Sequence, residues 1–252
     1  MACCRFILLG ASNVALAFPR IVHGLSGSLS QPAEVFAAFG HGRSYGLESR
    51  VLGRRLSGVR DCGLWAALEK QPPMPAHALL TDIGNDLLYG VPVTTIVGWA
   101  EDCARRLEAV GARSTLTMPP AASVAGLARW RYLLLRQLLF PKNRDSLDLT
   151  RRRLEDLRRR LHGLAQRFGL RLVEPRAGWF GIDPIHIRPR AQGRAWGEIL
   201  GDWPLPADLP RPPWSSARRI WRLAPAERRL WGRVRRCPQP HGMPGGMKIH
   251  LF

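Results

Sequence analysis

The chain reads as an α/β fold, a flavodoxin-like parallel five-stranded sheet with helices on both faces in a three-layer α/β/α arrangement. Three observations predict it. Short apolar runs alternate with longer segments of helical spacing through the first 200 or so residues, the pattern of a parallel sheet covered on both sides. The first three runs end at a glycine, Gly10, Gly40 and Gly84, where a strand gives way to a turn. The 252 residues are 46% hydrophobic and 23% charged, enough apolar material for one large core and too much for a disordered chain.

Arg5 to Gly10 (RFILLG) is a buried strand that turns at Ala11-Ser12-Asn13 into an Ala/Leu-rich helix. Glu34 to Phe39 (EVFAAF) is the second strand, closed by Gly40-His41-Gly42, and a helix is expected from Ser44 to Leu56. Ala78 to Ile83 is the third, ended by Gly84-Asn85-Asp86 and followed by a helix over Thr94 to Val110 with Glu101 and Asp102 beside Arg105 and Arg106. Ser114 to Met118 is the fourth, stopped by Pro119 and Pro120. After the apolar and basic segment Ala122 to Phe140 comes a long helix from about Ser146 to Phe168, with Asp145 or Ser146 as its cap and Gly169 as its stop. Leu170 to Val173 is the fifth strand, and a helix from about Ala191 to Leu200 completes a first domain spanning residues 1–202. Residues 203–252 read as a Pro-, Arg- and Trp-rich extension, partly irregular or disordered. Trp203 to Pro213 is too proline-rich for regular structure, a short amphipathic helix fits Pro225 to Val234, and six Pro and Gly between Pro238 and Gly246 suit a loosely attached end.

Ligands of such sheets bind outside the carboxyl ends of the strands, and the small polar residues of this chain collect there. Cleaving an acyl bond needs a nucleophile, a base to take its proton, an acid to orient the base, and donors for the oxyanion. Ser12 stands on the turn from the first strand into a helix, which presents its hydroxyl at the sheet's edge. Asp183 and His186 lie three apart in Gly-Ile-Asp-Pro-Ile-His, a spacing that can fold the carboxylate onto the imidazole and fix which ring nitrogen faces Ser12. Asn85 can donate a side-chain amide to an oxyanion, and Gly40 or Gly42 a bare backbone amide. Singly, these blocks have plainer readings as helix caps and turns. Their joint occurrence, each after a strand, favours a catalytic one.

The blocks Gly10-Ala11-Ser12-Asn13, Gly40-His41-Gly42, Gly84-Asn85-Asp86 and Asp183-Pro184-Ile185-His186 stand in the order found in the SGNH/GDSL hydrolases, which the chain resembles from about residue 5 to residue 200. That resemblance implies the flavodoxin-like fold and a serine hydrolase that cleaves a carboxylic ester or related acyl bond without a cofactor. It makes Ser12 the nucleophile, His186 the general base and Asp183 its orienting acid, with Asn85, Gly42 and the Ser12 amide as the oxyanion hole. Gly42 is preferred to Gly40 because Arg43-Ser44 resembles the polar pair that follows the family's Gly. Two positions depart from the pattern. Ala11 stands where an Asp usually precedes the Ser, removing a turn-stabilising hydrogen bond, and Ile83 stands where a Gly usually lies two before the Asn. Asp86 reads as support for its loop, and His41 as a substrate contact or a turn residue. The implied substrate is a small-molecule, carbohydrate or lipid ester. The rival readings are an inactive module of the same fold that binds an anionic partner, and an acyltransferase using the same site.

Charge is the outlier: 38 Lys plus Arg against 19 Asp plus Glu give +19, and only three of the basic residues are Lys. Such a field suits nucleic acid, an anionic membrane surface or an anionic substrate, yet Arg over Lys with 25 Gly and 21 Pro also marks GC-rich codon usage, the reading favoured over either surface. Much of the excess lies in TRRRLEDLRRR (Thr150 to Arg160), where Glu155 and Asp156 provide intrahelical pairs, and after Arg211. Arg129 to Phe140 (RWRYLLLRQLLF) reads as a helix packed on the sheet in preference to a lid or membrane-surface helix. Five Cys with no C-x-x-C pair, and six further His with no metal spacing, suggest neither a disulfide framework nor a metal site. Met1 to Ala17 resembles a weak secretory signal, but its removal would take Ser12 with it, and no run of 18 apolar residues occurs, so a cytoplasmic location is expected.

Overall fold

The computed structural model describes residues 3–51, 53–141 and 143–252; Met1 and Ala2 of the opening stretch, Leu52 of the expected helix over 44–56, and Lys142 lie outside them. The chain begins with β1 (Cys4–Leu9), α1 (Ser12–Ser28) and β2 (Ala33–Ala38), then β3 (Ser49–Val51), β4 (Arg54–Leu56) and α2 (Leu64–Glu69). Next come β5 (Ala76–Leu80), α3 (Asn85–Leu88), α4 (Val93–Ala109), β6 (Ala112–Thr117), α5 (Ala121–Ala125), α6 (Arg129–Leu139), α7 (Leu147–Phe168) and β7 (Arg171–Val173). The last part holds α8 (Gln192–Ile199), α9 (Trp214–Trp221), β8 (Glu227–Leu230), β9 (Arg233–Arg236), β10 (His241–Gly242) and β11 (Lys248–Leu251).

All five expected strands are present and parallel: β1 lies between β2 and β5, with β6 and β7 beyond. Burial on both faces explains why β1 and β2 are near-continuous apolar runs with no alternation. Helices α1, α8 and α9 cover one face, packing Phe18, Ile21, Trp196 and Ile220 over Phe6 and Leu8. Helices α2, α4 and α7 cover the other, with Leu64, Ile96, Leu157 and Leu161 against Ile7 and Leu80. The long helix α7 ends as its sequence dictates. The Ser146 hydroxyl accepts from the Leu149 amide at its start, and Gly169, at φ 60°, turns the chain left-handed at its end.

The sheet has seven strands where five are expected, in the order β10-β11-β2-β1-β5-β6-β7. Strand β11 adds parallel to β2, and β10 returns antiparallel to β11. These strands come from the end of the chain, where two and four residues cannot raise a period-2 signal above the surrounding Pro and Gly. They are firmly packed nonetheless: Met247, Ile249 and Leu251 are buried in the main core. Ile249→Ala is expected to destabilise the fold by about 2–5 kcal/mol in denaturant titration, the range for deleting a buried side chain of this size. A peripheral strand would give a far smaller change.

Two expected helices are strands instead. The segment 44–56 contains β3 and β4, paired antiparallel, and 225–234 contains β8, which pairs with β4 to build a separate antiparallel sheet, β3-β4-β8-β9. The turn chemistry overrides the helical spacing. Trp231 at φ 51° and Gly232 at φ 76° are the two central residues of a hairpin loop, the pair of positive values that a type I′ turn needs and a helix forbids.

Candidate active site

Strand β1 delivers Ser12. The chain turns through Gly10, where a Cβ would come within 2.5 Å of Val14 Cγ2 and 2.8 Å of Thr81 Cγ2, so no other residue fits without displacing the neighbours. Ser12 is the first residue of α1 and is only 6% exposed. Its Oγ lies 2.8 Å from His186 Nε2, and His186 Nδ1 lies 2.5 Å from Asp183 Oδ2. The other Asp183 oxygen accepts from the Ile185 amide at 2.9 Å and the His186 amide at 3.3 Å, so the turn at Pro184 holds carboxylate and imidazole together. With Nδ1–H donated to Asp183, Nε2 is left as an acceptor facing the Ser12 hydroxyl.

Partial burial pulls the His186 pKa down, but the hydrogen bond and charge of Asp183, with the charge of Asp82 behind, more than reverse it, and the net shift is upward. Asp183 also loses hydration, which raises its pKa, yet its bonds to His186 and to the Ile185 amide leave it below the usual carboxylate range. His41, on the neighbouring loop, is lowered by partial desolvation and then by the charges of His186 and Arg54.

Two further residues brace this chain of hydrogen bonds. Asp82, left-handed at φ 63° just beyond β5, accepts from the amides of Ala11 at 2.8 Å and Asn13 at 3.2 Å, on either side of Ser12. It thereby stabilises the turn that Ala11 leaves without a local carboxylate. Asn13 donates its side-chain amide to Asp82 Oδ1 and to the Ile185 carbonyl, each at 2.8 Å, and accepts from the Ile187 amide at 2.9 Å. One side chain thus clamps the Ser12 turn to the His186 loop from both sides. Asn13→Ala is expected to leave the chain folded and to lower kcat by about a hundredfold with little change in KM, since a misplacement of about 1 Å costs that much.

Asn85 opens α3, and Gly42, at φ 68°, lies on the loop after β2, where the Tyr89 hydroxyl donates to its carbonyl at 2.8 Å. Among the described residues, neither the Asn85 side chain nor the amides of Ser12 and Gly42 make a hydrogen bond, so all three donors are unspent. Gly40 is buried under Leu56, whereas Gly42 is half-buried. The Gly42 loop is fixed from below. Asp86, fully buried, accepts from the Ser44 hydroxyl and from the Tyr45 amide at 2.9 Å, and burial raises its pKa to about 6. Buried Arg43 donates to the carbonyls of Ser57 at 3.0 Å and of Phe252, tying this loop to the end of β11.

Ser12, His186, Asp183, Asn85 and Gly42 are legible in the sequence; the bracing roles of Asn13 and Asp82 are not, although both residues stand inside or beside the same blocks. A mostly apolar cavity is lined by Asn13 and Asn85 together with Leu87, Met118, Leu154 and Trp179, and neither Ser12 nor His186 lines it. Among the described residues no three His, Cys, Asp or Glu side chains converge as metal ligands, and no helix is long and apolar enough to cross a membrane.

Several solved structures are similar. The native aryl esterase of M. smegmatis is 15% identical, covers 79% of this chain and 96% of its own, and superposes with a TM-score of 0.52. Its inhibitor-bound form is 14% identical over 79% and 96%, with a TM-score of 0.51. AlinE4, an SGNH-hydrolase family esterase, is 16% identical over 80% of this chain and 93% of its own, with a TM-score of 0.46. No protein-family model matches the chain, and no curated protein is similar to it in sequence. At these identities the likeness is one of fold, and the α/β fold expected from the alternation of strands and helices is the one shared with the aryl esterase.

Proposed function

We propose that the chain is a serine hydrolase that cleaves carboxylic esters of small molecules. The observation that carries the reading is the continuous hydrogen-bonded line from Ser12 Oγ through His186 Nε2 and Nδ1 to Asp183 Oδ2, at 2.8 Å and 2.5 Å. Ser12 Oγ attacks the ester carbonyl carbon while His186 Nε2 takes its proton, and Asp183 stabilises the imidazolium that forms. Negative charge gathers on the former carbonyl oxygen, where the Ser12 and Gly42 amides and the Asn85 side chain donate to it. The C–O bond of the ester then breaks, the leaving alkoxide takes the proton from His186, and an acyl group remains on Ser12. Water, deprotonated by His186, attacks this acyl-enzyme and releases the acid and free Ser12. The residues that react all lie within 1–202, and the extension 203–252 serves them indirectly, through the brace from Phe252 to Arg43.

The test is turnover of short p-nitrophenyl esters by the whole chain, with His186→Ala as the control. Hydrolysis by the wild type well above that of the variant is expected. Equal rates would remove the proposal and leave a binding protein on the same fold.

A further inference from the structure

Helix α6 presents to solvent what a buried helix would hide. Trp130, Leu134 and Leu138 are 67%, 62% and 74% exposed and recur at every fourth residue, so they form one stripe, widened by exposed Leu133. The opposite side is the one that packs. Tyr132 is buried with Leu127 and Leu147, and its hydroxyl bonds Thr150 Oγ1 at 2.7 Å and the Asp145 carbonyl at 3.0 Å. The expected packing of this helix on the sheet is therefore corrected: its one packed face lies against α7 and the turn before it, in a small cluster apart from the sheet's two faces.

The stripe is continued and flanked in a way that defines what it meets. Ile182, the residue before Asp183, is 81% exposed, and its carbonyl accepts from the Arg131 guanidinium at 2.7 Å, which places this apolar side chain on a loop tied to α6. No Asp or Glu occurs between Glu108 and Asp145, while Arg129, Arg131 and Arg136 all lie on α6. Among the described residues none of these three arginines pairs with a carboxylate: Arg129 is exposed and Arg131 donates to the Ile182 carbonyl, which leaves its charge uncompensated, whereas Arg136 lies on the packed side, over the Tyr132 ring and donating to the Asp145 carbonyl. An exposed apolar stripe with unneutralised guanidinium groups on the same helix matches the boundary of an anionic bilayer, where Trp and Leu enter the acyl region and Arg meets phosphate.

We infer that the exposed face of α6, with Ile182 beside it, is a docking surface for an anionic lipid bilayer. The helix lies along that surface without crossing it. Because α6 is bonded to the loop that carries Asp183 and His186, docking sets the hydrolytic residues close to the lipid boundary. What reaches Ser12 there rests on the ester-hydrolase reading; the docking itself does not, and the two are measured separately.

The experiment is co-sedimentation of the full chain with vesicles of phosphatidylcholine alone or of phosphatidylcholine and phosphatidylglycerol in equal parts, at low and high salt. The comparison variant is Leu134→Asp/Leu138→Asp, altered only at exposed positions, with Leu134→Ser/Leu138→Ser as a second should the charged one fold poorly. The wild type is expected to bind the phosphatidylglycerol vesicles and to weaken with salt, and the variant to bind them at least about tenfold more weakly through loss of apolar insertion. Turnover of a short p-nitrophenyl ester and the gel-filtration volume are expected to be the same for both. Failure of the wild type to bind, or binding by the variant as tight as the wild type's, would overturn the proposal. So would a wild-type oligomer that the variant dissociates, since that would make the stripe an interface between copies of the chain.

Discussion

Ser12→Ala is expected to lower kcat for a short p-nitrophenyl ester by about a millionfold, with KM nearly unchanged, as loss of the nucleophile does in serine hydrolases. The variant loses the atom that forms the acyl bond and keeps the donors that hold the substrate, so binding survives while chemistry does not. Folding is expected to change by about 1 kcal/mol at most, because Ser12 Oγ contributes one hydrogen bond and its loss leaves only a small space. Ser12 and His186 act as one unit, so adding His186→Ala to Ser12→Ala is expected to cost little more than either alone. Stopped-flow or steady-state release of p-nitrophenol measures both. Additive losses would mean that the two residues act in separate steps.

Asp183→Asn is expected to lower kcat by about ten thousandfold, because an amide at this position can hold the imidazole in the wrong tautomer, with Nε2–H directed at Ser12. The pH profile carries a second signature. Hydrolysis needs neutral His186, whose pKa lies above its ordinary 6.5, so the acid limb of kcat/KM is expected above pH 6.5 in the wild type. In Asp183→Asn the main causes of that rise are gone while partial burial, which lowers the pKa, stays, so the limb is expected to move to lower pH. Stability follows the same linkage with opposite signs for the two partners. The raised pKa of His186 adds stability that is complete below its unfolded value and lost as pH rises through the folded one. The depressed pKa of Asp183 adds stability present above its unfolded value and lost as pH falls through the folded one. An unchanged acid limb in the variant would separate Asp183 from the group that titrates.

Why these residues are legible from sequence, and others are not, follows from how far each interaction reaches along the chain. Ser12, Asn85 and Gly42 each sit directly after a strand, so the alternation of strand and helix alone brings them to one edge of the sheet. Asp183 and His186 meet within one turn, and three-residue spacing announces it. Asp82 is different. The carboxylate that serves the Ser12 turn stands 71 positions away from Ala11, just beyond another strand. Ala11 therefore looks like a missing stabiliser when read locally, although the fold supplies one from just beyond β5. The same holds for Arg43, whose partner at Phe252 lies 209 positions on.

The end of the chain shows the limit of composition. Pro and Gly between residues 238 and 246 suggest a loose end, and they do make turns; what composition hides is that these turns return the chain to the open edge of β2. There β11 pairs Ile249 with Val35 and Leu251 with Ala37, covering an edge that would otherwise expose unpaired backbone. The segment 225–234 shows another limit: Arg228, Arg229 and Arg233 suit an amphipathic helix by spacing, yet a two-residue turn at Trp231-Gly232 folds them into a hairpin. Of the +19, then, a part decorates the β8-β9 hairpin, distant in sequence from the blocks that carry the chemistry.

The central claim is that Ser12 is the activated nucleophile, and covalent labelling tests it most directly. A fluorophosphonate phosphonylates an activated serine oxygen and displaces fluoride. Trypsin then releases the peptide from Phe6 to Arg20, in which Ser12 is the one hydroxyl-bearing residue, so mass spectrometry assigns the adduct without ambiguity. Stoichiometric labelling of that peptide in the wild type, and its loss in His186→Ala, is the predicted result. An unlabelled Phe6 to Arg20 peptide in folded chain, or labelling that persists undiminished without His186, would contradict it.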